Sequence, residues 1–273
     1  GRTRYDTTFA DSLKNLPWQV TVAEMPKLHP GAIKLTRLIT CVCGALLVVA
    51  FGATANPAAT PTPRPDKNWH ERHESTVLTS RHLDPRLVFI GDSITHFWEL
   101  NGKTVWDDEY ARHPSANLGI AGDRTQHVLW RLQYALDGIL PELVIILIGT
   151  NNLTADSQMK LPPDSVEEIV EGILAVVGSV RKELPDTHIL LLGILPRGDL
   201  DPTSTAKIPA INSMLERSYL DDRTVFRDIG ANFLDSSGTV SRELMWDRLH
   251  LSTEGYKRWA DAIRTDVDKV LQP

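Results

Sequence analysis

Residues 143–148 read LVIILI, six apolar positions in a row with no polar one among them. A strand with one wet face alternates apolar and polar residues, because successive side chains point to opposite faces. A strand that is apolar throughout needs cover on both faces, as inside a parallel sheet flanked by helices. Shorter apolar runs at 87–90, 116–118, 188–192 and 225–227 read as further strands. Between and after them, residues 125–136, 165–184, 205–219 and 253–271 carry helical patterns, and SVEE at 165–168 has the spacing of a capping box. Strands separated by helices require crossover connections, so the chain is expected to form a three-layer α/β domain around a parallel sheet. Ligands of such sheets bind at the carboxyl ends of the strands.

The remainder of the chain is organised around that domain. Residues 1–55 hold six Lys/Arg against three Asp/Glu, which leaves a body of net charge −9 within a total of −6. An acidic body argues against nucleic acid as a partner, since phosphate binding needs a basic surface. From Met25 the sequence has a basic start, a sixteen-residue apolar run to Ala53 and the small-x-small exit Ala53-Thr54-Ala55. These are the parts of a signal peptide over 25–55, cleaved after Ala55, and the run is short for a membrane span. An uncleaved N-terminal anchor is the alternative. Residues 1–24, upstream of Met25, read as non-native or misassigned sequence. Cys41 and Cys43 both lie in the apolar run, so the mature chain would have neither a disulfide nor a thiolate metal site. NPAATPTPRPD, from Asn56 to Asp66, alternates Pro with small residues and reads as a linker over 56–68, with the folded domain at 69–273.

Four polar stretches fall at the expected strand ends: GDS at 91–93, GIAGD at 119–123, GTNN at 149–152 and DRLH at 247–250. Ser93 is a candidate nucleophile; taken alone it reads equally as a helix cap. His250 is the candidate base and Asp247 the acid that would fix its tautomer. Gly122, through a closely approaching backbone N–H, and an Asn side chain at 151 or 152 are candidate oxyanion donors. His96, Phe97 and Trp98 follow Ser93 and are candidates to line the substrate site, although packing against the sheet serves the two aromatics equally well. Arg197, after the fourth strand, is a candidate contact for the leaving group. Asp92 reads as an anchor of the turn. His70 and His73 stand in an H-x-x-H spacing with no third ligand nearby, which reads as a solvated surface helix rather than a metal site.

GDS, NLGIAGDRT at 117–125, GTNN and DRLHL together resemble the four blocks of the SGNH (GDSL) hydrolases. GIAGDRTQHVLWRL at 119–132 and LLGILPRG at 191–198 are similar to the intracellular platelet-activating-factor acetylhydrolase catalytic subunits, from which the leader and Pro-rich segment depart. The resemblance implies a flavodoxin-like sheet in the order 2-1-3-4-5 and ester hydrolysis through Ser93, Asp247 and His250. It also implies an oxyanion hole of the Ser93 and Gly122 N–H groups with the Asn151 side chain. The expectation is a secreted or periplasmic serine esterase that removes short acyl groups, chiefly acetyl, from a carbohydrate or lipid-like alcohol. No metal or organic cofactor is expected, nor a stable membrane span once the leader is cleaved. A lysophospholipase or thioesterase of the same fold, and a non-catalytic carbohydrate-binding module, are the rival readings.

Overall fold

The computed structural model describes residues 55–271. One sheet contains β1 (Leu87–Gly91), β2 (Ser115–Asn117), β3 (Leu143–Leu147), β4 (His188–Leu192) and β5 (Thr224–Arg227), in the order β2-β1-β3-β4-β5. Each neighbouring pair is parallel. The helices of this region are α1 (Lys67–Leu83), α2 (Ser93–His96), α3 (Lys103–Glu109), α4 (Thr125–Ala135), α5 (Val166–Glu183), α6 (Pro202–Thr205), α7 (Lys207–Glu216) and α8 (Thr253–Val270). The expected order 2-1-3-4-5 is the observed one.

The LVIIL strand is buried at every position, and its two sides feed two cores. Val144 and Ile146, with Val88, Ile90, Ile189 and Leu191, pack under α4, α5 and α7. Leu143, Ile145 and Leu147, with Leu87, Phe89, Leu190 and Leu192, pack under Trp98, α3 and α8. The capping box at the start of α5 is present: Ser165 Oγ accepts from Glu168 N–H (3.2 Å) and Glu168 Oε2 accepts from Ser165 N–H (2.8 Å).

The expected helix over 205–219 is present as α7 but shorter at both ends, and a separate turn precedes it. Asp201 accepts the N–H groups of Thr203 and Ser204, and Pro202 starts a separate turn, so α6 forms before α7. Helix α1 follows a sequence with no apolar stripe: its buried residues are Trp69, His73, Thr76, Val77 and Ser80. The H-x-x-H segment is therefore helical, but not solvated throughout. His73 is 5% exposed and stands against Trp130, while His70 Nε2 is 2.8 Å from the Arg64 carbonyl.

The segment expected as a linker over 56–68 is packed. Pro57–Ala59 form a 3-10 turn that packs beside α4 and α5 with Ala58 fully buried, and the chain continues from it as a strap. Asn56 Nδ2 donates to the Glu168 carbonyl (3.1 Å), Thr125 Oγ1 to the Ala58 carbonyl (2.7 Å), and Thr62 N–H to the Gln126 carbonyl (3.0 Å). Gly172 on α5 permits the approach, since a Cβ there would lie 2.7 Å from the Ala58 carbonyl oxygen. Proline sets the strap's extended conformation beforehand, and the helix surface supplies partners for its polar groups. The segment 1–24 and the expected leader, but for Ala55, lie outside the described residues. Among the described residues no helix is long and apolar enough to cross a membrane.

A packed strap and a solvated linker respond differently to charge. Ala58→Asp buries an unpaired carboxylate and should lower unfolding free energy by about 2–4 kcal/mol, whereas a linker substitution stays within about 0.5 kcal/mol. Urea unfolding of the two proteins, compared at constant m-value, decides between them.

Candidate active site

Strand β1 lies between β2 and β3, where the strand order reverses, and a crevice at its carboxyl end is the expected ligand position in such a sheet. Gly91 ends the strand, Asp92 caps the helix by accepting the Ile94 N–H (3.0 Å), and Ser93 is the first residue of α2. Tyr256 on α8 donates its hydroxyl to the Ile94 carbonyl (2.7 Å), which ties α2 to the last helix.

The loop before α8 carries the other two groups. A bridge between Met245 and Leu251 closes it, and Arg248 takes a left-handed backbone (φ 68°) that folds the chain sharply back. That turn sets Asp247 beside His250. Asp247 Oδ1 accepts the N–H groups of Leu249 (3.0 Å) and His250 (2.6 Å), while Oδ2 lies 2.6 Å from His250 Nδ1. His250 Nε2 is 3.0 Å from Ser93 Oγ. A carboxylate only accepts, so Nδ1 carries the proton and Nε2 presents its lone pair to the Ser93 hydroxyl. Burial pushes the Asp247 carboxyl up, but the bonds from the His250 ring and from the His250 and Leu249 N–H groups together hold it below its ordinary value. It therefore stays ionised at neutral pH, the state that steadies an imidazolium.

The second and third strand-end loops are joined to each other. Gly122 has φ +82°, a conformation open to glycine at no steric cost. Asn151, partly buried, donates from Nδ2 to the Asp123 carbonyl (2.9 Å). Asn152 turns away and is fully buried: Nδ2 lies 2.8 Å from Asp164 Oδ2, and Oδ1 accepts the Thr125 N–H (3.1 Å). The two Asn residues thus have separate work, one at the loop junction and one inside the framework. Beneath them Asp123, fully buried, accepts from Trp69 Nε1 (2.6 Å) and Arg131 Nε (2.8 Å).

The weaker candidates divide. His96 is half-buried, and burial followed by the Arg72 charge pushes its imidazole down. Trp98 does not line a site: it is fully buried among Phe89, Tyr256 and Trp259, because the sheet face under α8 needs a large apolar residue there. Arg197 is not free for a leaving group. It is 5% exposed, donates to the Thr150 carbonyl (2.9 Å) and pairs through two nitrogens with Asp199 (2.9 and 2.7 Å), so it braces the loop that carries Asn151. Phe97 stands 5.0 Å from the His250 ring. Trp246, 55% exposed, also stacks on the imidazole, with ring centroids 6.2 Å apart. Trp246 is the neighbour that the sequence pattern passed over, although its place one residue before Asp247 put it within reach. Among the described residues no cluster of three or more His, Cys, Asp or Glu is placed to hold a metal ion.

Comparison with known proteins agrees with this architecture. Residues 89–258 match the model of the GDSL-like Lipase/Acylhydrolase family. The chain is 35% identical over 226 residues to the rat platelet-activating factor acetylhydrolase IB subunit alpha1, covering 81% of this chain and 93% of that protein. It is 32% identical to the Drosophila melanogaster platelet-activating factor acetylhydrolase IB subunit beta homolog, covering 79% and 94%. Residues 69–273 make up about three quarters of the chain, so matches of this extent reach into the strap. A solved GDSL-like lipase from Bacteroides thetaiotaomicron superposes with a TM-score of 0.61 at 18% identity, covering 75% and 98%, a likeness of fold.

The site leaves a mark on stability. Asp92 is 1% exposed, and its carboxyl is pushed up to about 7, chiefly by burial. The folded state then keeps a proton that the unfolded chain releases near pH 4, so stability falls as pH rises from about 4 to 7 and levels off above. Asp92→Asn keeps the acceptor for Ile94 N–H and removes the titration. Relative to wild type it should gain on the order of 1–4 kcal/mol between pH 5 and pH 8 in urea unfolding. An equal difference at both pH values would rule out the linkage.

Proposed function

Because the chain belongs to the GDSL-like lipase/acylhydrolase family and is an ester-hydrolysing enzyme, we propose that it removes short acyl groups, chiefly acetyl, from a carbohydrate or lipid-like alcohol through an acyl-enzyme on Ser93. The observation that carries this reading is the hydrogen-bonded line from Asp247 through His250 to Ser93. His250 Nε2 takes the Ser93 proton as Oγ bonds to the ester carbonyl carbon, and the carbonyl π pair moves onto oxygen. Donors to that oxyanion are the Ser93 and Gly122 N–H groups and Asn151 Nδ2, which has two hydrogens and gives one to the Asp123 carbonyl. Collapse expels the alkoxide, which takes the proton from His250. Water, deprotonated by His250 in turn, releases the acid and restores Ser93. Asp247 balances the imidazolium charge in both halves.

Two features support the substrate class. The relatives at 35% and 32% identity are named acetylhydrolases. Trp246 offers an exposed indole beside His250, a surface suited to the face of a sugar ring or to an apolar chain. Export is supported by the leader pattern and by the strap, in which Asn56, the expected mature N-terminus, bonds the domain through the Glu168 carbonyl.

Ser93→Ala should lower turnover of p-nitrophenyl acetate by at least roughly 10³-fold with the fold unchanged by circular dichroism. Asn151→Ala should lower kcat by roughly 10²–10³ with little change in KM. Specificity constants across acetate, butyrate and octanoate esters should be highest for acetate; an octanoate optimum would sink the acetyl assignment. N-terminal sequencing of exported protein should begin at Asn56, and recovery of the leader in a membrane fraction would instead favour an anchor.

A further inference from the structure

The mechanism leaves a charged group on the strap, Arg64, without a role. Arg64 is 16% exposed in its side chain, and its Nη1 donates to the Ala121 carbonyl (2.8 Å). That carbonyl belongs to the same peptide unit as the Gly122 N–H. We propose that Arg64 is a positioning residue for the oxyanion donor, holding and polarising the peptide that presents the Gly122 N–H. The proposal rests on the reading of Gly122 as such a donor.

In a trans peptide the C=O and N–H point in opposite directions, so fixing one fixes the other. The peptide needs fixing: it adjoins a glycine at φ +82°, where the backbone has its widest freedom to rotate. A charged donor on the carbonyl makes a bond roughly twice as strong as a neutral one. Bonds in series polarise one another, so drawing density toward the Ala121 oxygen makes the Gly122 N–H a better donor. The guanidinium also fills the space that a side chain at 122 would need, since a Cβ there would lie 2.7 Å from Arg64 Nη1.

Arg64 is itself held in place. Its Nη2 lies 3.2 Å from Asp66 Oδ2 and 3.4 Å from Gln158 Oε1, and its carbonyl is 2.8 Å from His70 Nε2. Asp66 in turn caps α1 by accepting the Trp69 N–H (2.8 Å). With both terminal nitrogens committed to protein acceptors, Arg64 is placed to shape the loop rather than to take up a substrate anion.

The test uses the full chain with p-nitrophenyl acetate as substrate and an aryl trifluoromethyl ketone, whose serine adduct carries an oxyanion, as inhibitor. Arg64→Ala should lower kcat roughly tenfold, less than loss of a direct donor, with KM within about twofold. Inhibitor affinity should fall by a similar factor. Arg64→Lys should recover part of both effects, and millimolar guanidinium should raise the turnover of the Ala variant alone. Unchanged kcat and inhibitor affinity in Arg64→Ala would overturn the proposal. So would a KM that rises at constant kcat, the signature of substrate binding, or an Arg64→Lys enzyme no better than Arg64→Ala. Ser93→Ala, run in parallel, separates the premises: activity retained there would remove the oxyanion reading itself, whatever the Arg64 variants do.

Discussion

Burial of β3 on both faces is the constraint from which the rest follows. A strand with no polar side chain cannot sit at a wet surface, so helices must cover the sheet above and below. Covering both sides of a sheet with the chain's own connections makes neighbouring strands parallel, and parallel strands all end at one edge. Polar loops after β1, β2 and β3 are thereby collected at that edge. Gly91-Asp92-Ser93, Gly119 to Asp123 and Gly149 to Asn152 meet there because the hydrophobic cores leave them nowhere else to go.

Bringing polar loops together beneath a protein surface has a cost, which is offset by pairing. Asp123 is buried with Arg131 and Trp69, and Asn152 with Asp164 and Thr125. Arg124 reaches the Pro162 carbonyl (3.1 Å) and lies 3.6 Å from Asp164. Breaking one partner of such a pair leaves an uncompensated polar group, so the framework tolerates little change although the side-chain hydrogen bond of Ser93 goes to His250 and to none of these groups. Asp92 is met differently. Its Oδ2 is buried without a hydrogen-bond partner, and it meets burial by holding its proton more tightly.

Much of this was legible in the sequence where apolar period or local chemistry specifies the outcome. LVIIL reads as a doubly buried strand, and Ser165 with Glu168 reads as a capping box, because each signal lies within a few residues. The Ser93, Asp247 and His250 candidates come together in space because each stands next to a strand end or helix start. What the sequence concealed depends on contacts between distant segments. The buried face of α1 consists of Trp, His, Thr, Val and Ser, so no apolar stripe announces it. The strap looked like a linker because proline and alanine have no pattern of their own; its partners are α4 and α5, more than 60 positions away. Trp98 and Phe97 are adjacent aromatics, and only the fold sends one into the core and the other to His250. Arg197 illustrates the opposite error, a charge near the edge that turned out to be spent on its neighbours.

The strap also changes where the domain begins in functional terms. His250 and Ser93 are 157 positions apart, and Asn56 meets Glu168 across 112. Contacts of such separation form only once the intervening chain has closed, so the site belongs to the whole domain and to no smaller part of it. Arg64 lies on the segment most easily mistaken for a spacer, yet its guanidinium lies against the Gly122 loop. Asp66, two residues on, starts α1, and α1 supplies Trp69 to the buried Asp123 whose carbonyl holds Asn151. One short run therefore touches both candidate side-donors of the oxyanion, Gly122 through a carbonyl and Asn151 through a buried carboxylate residue. Detachment of the strap would remove both supports at once.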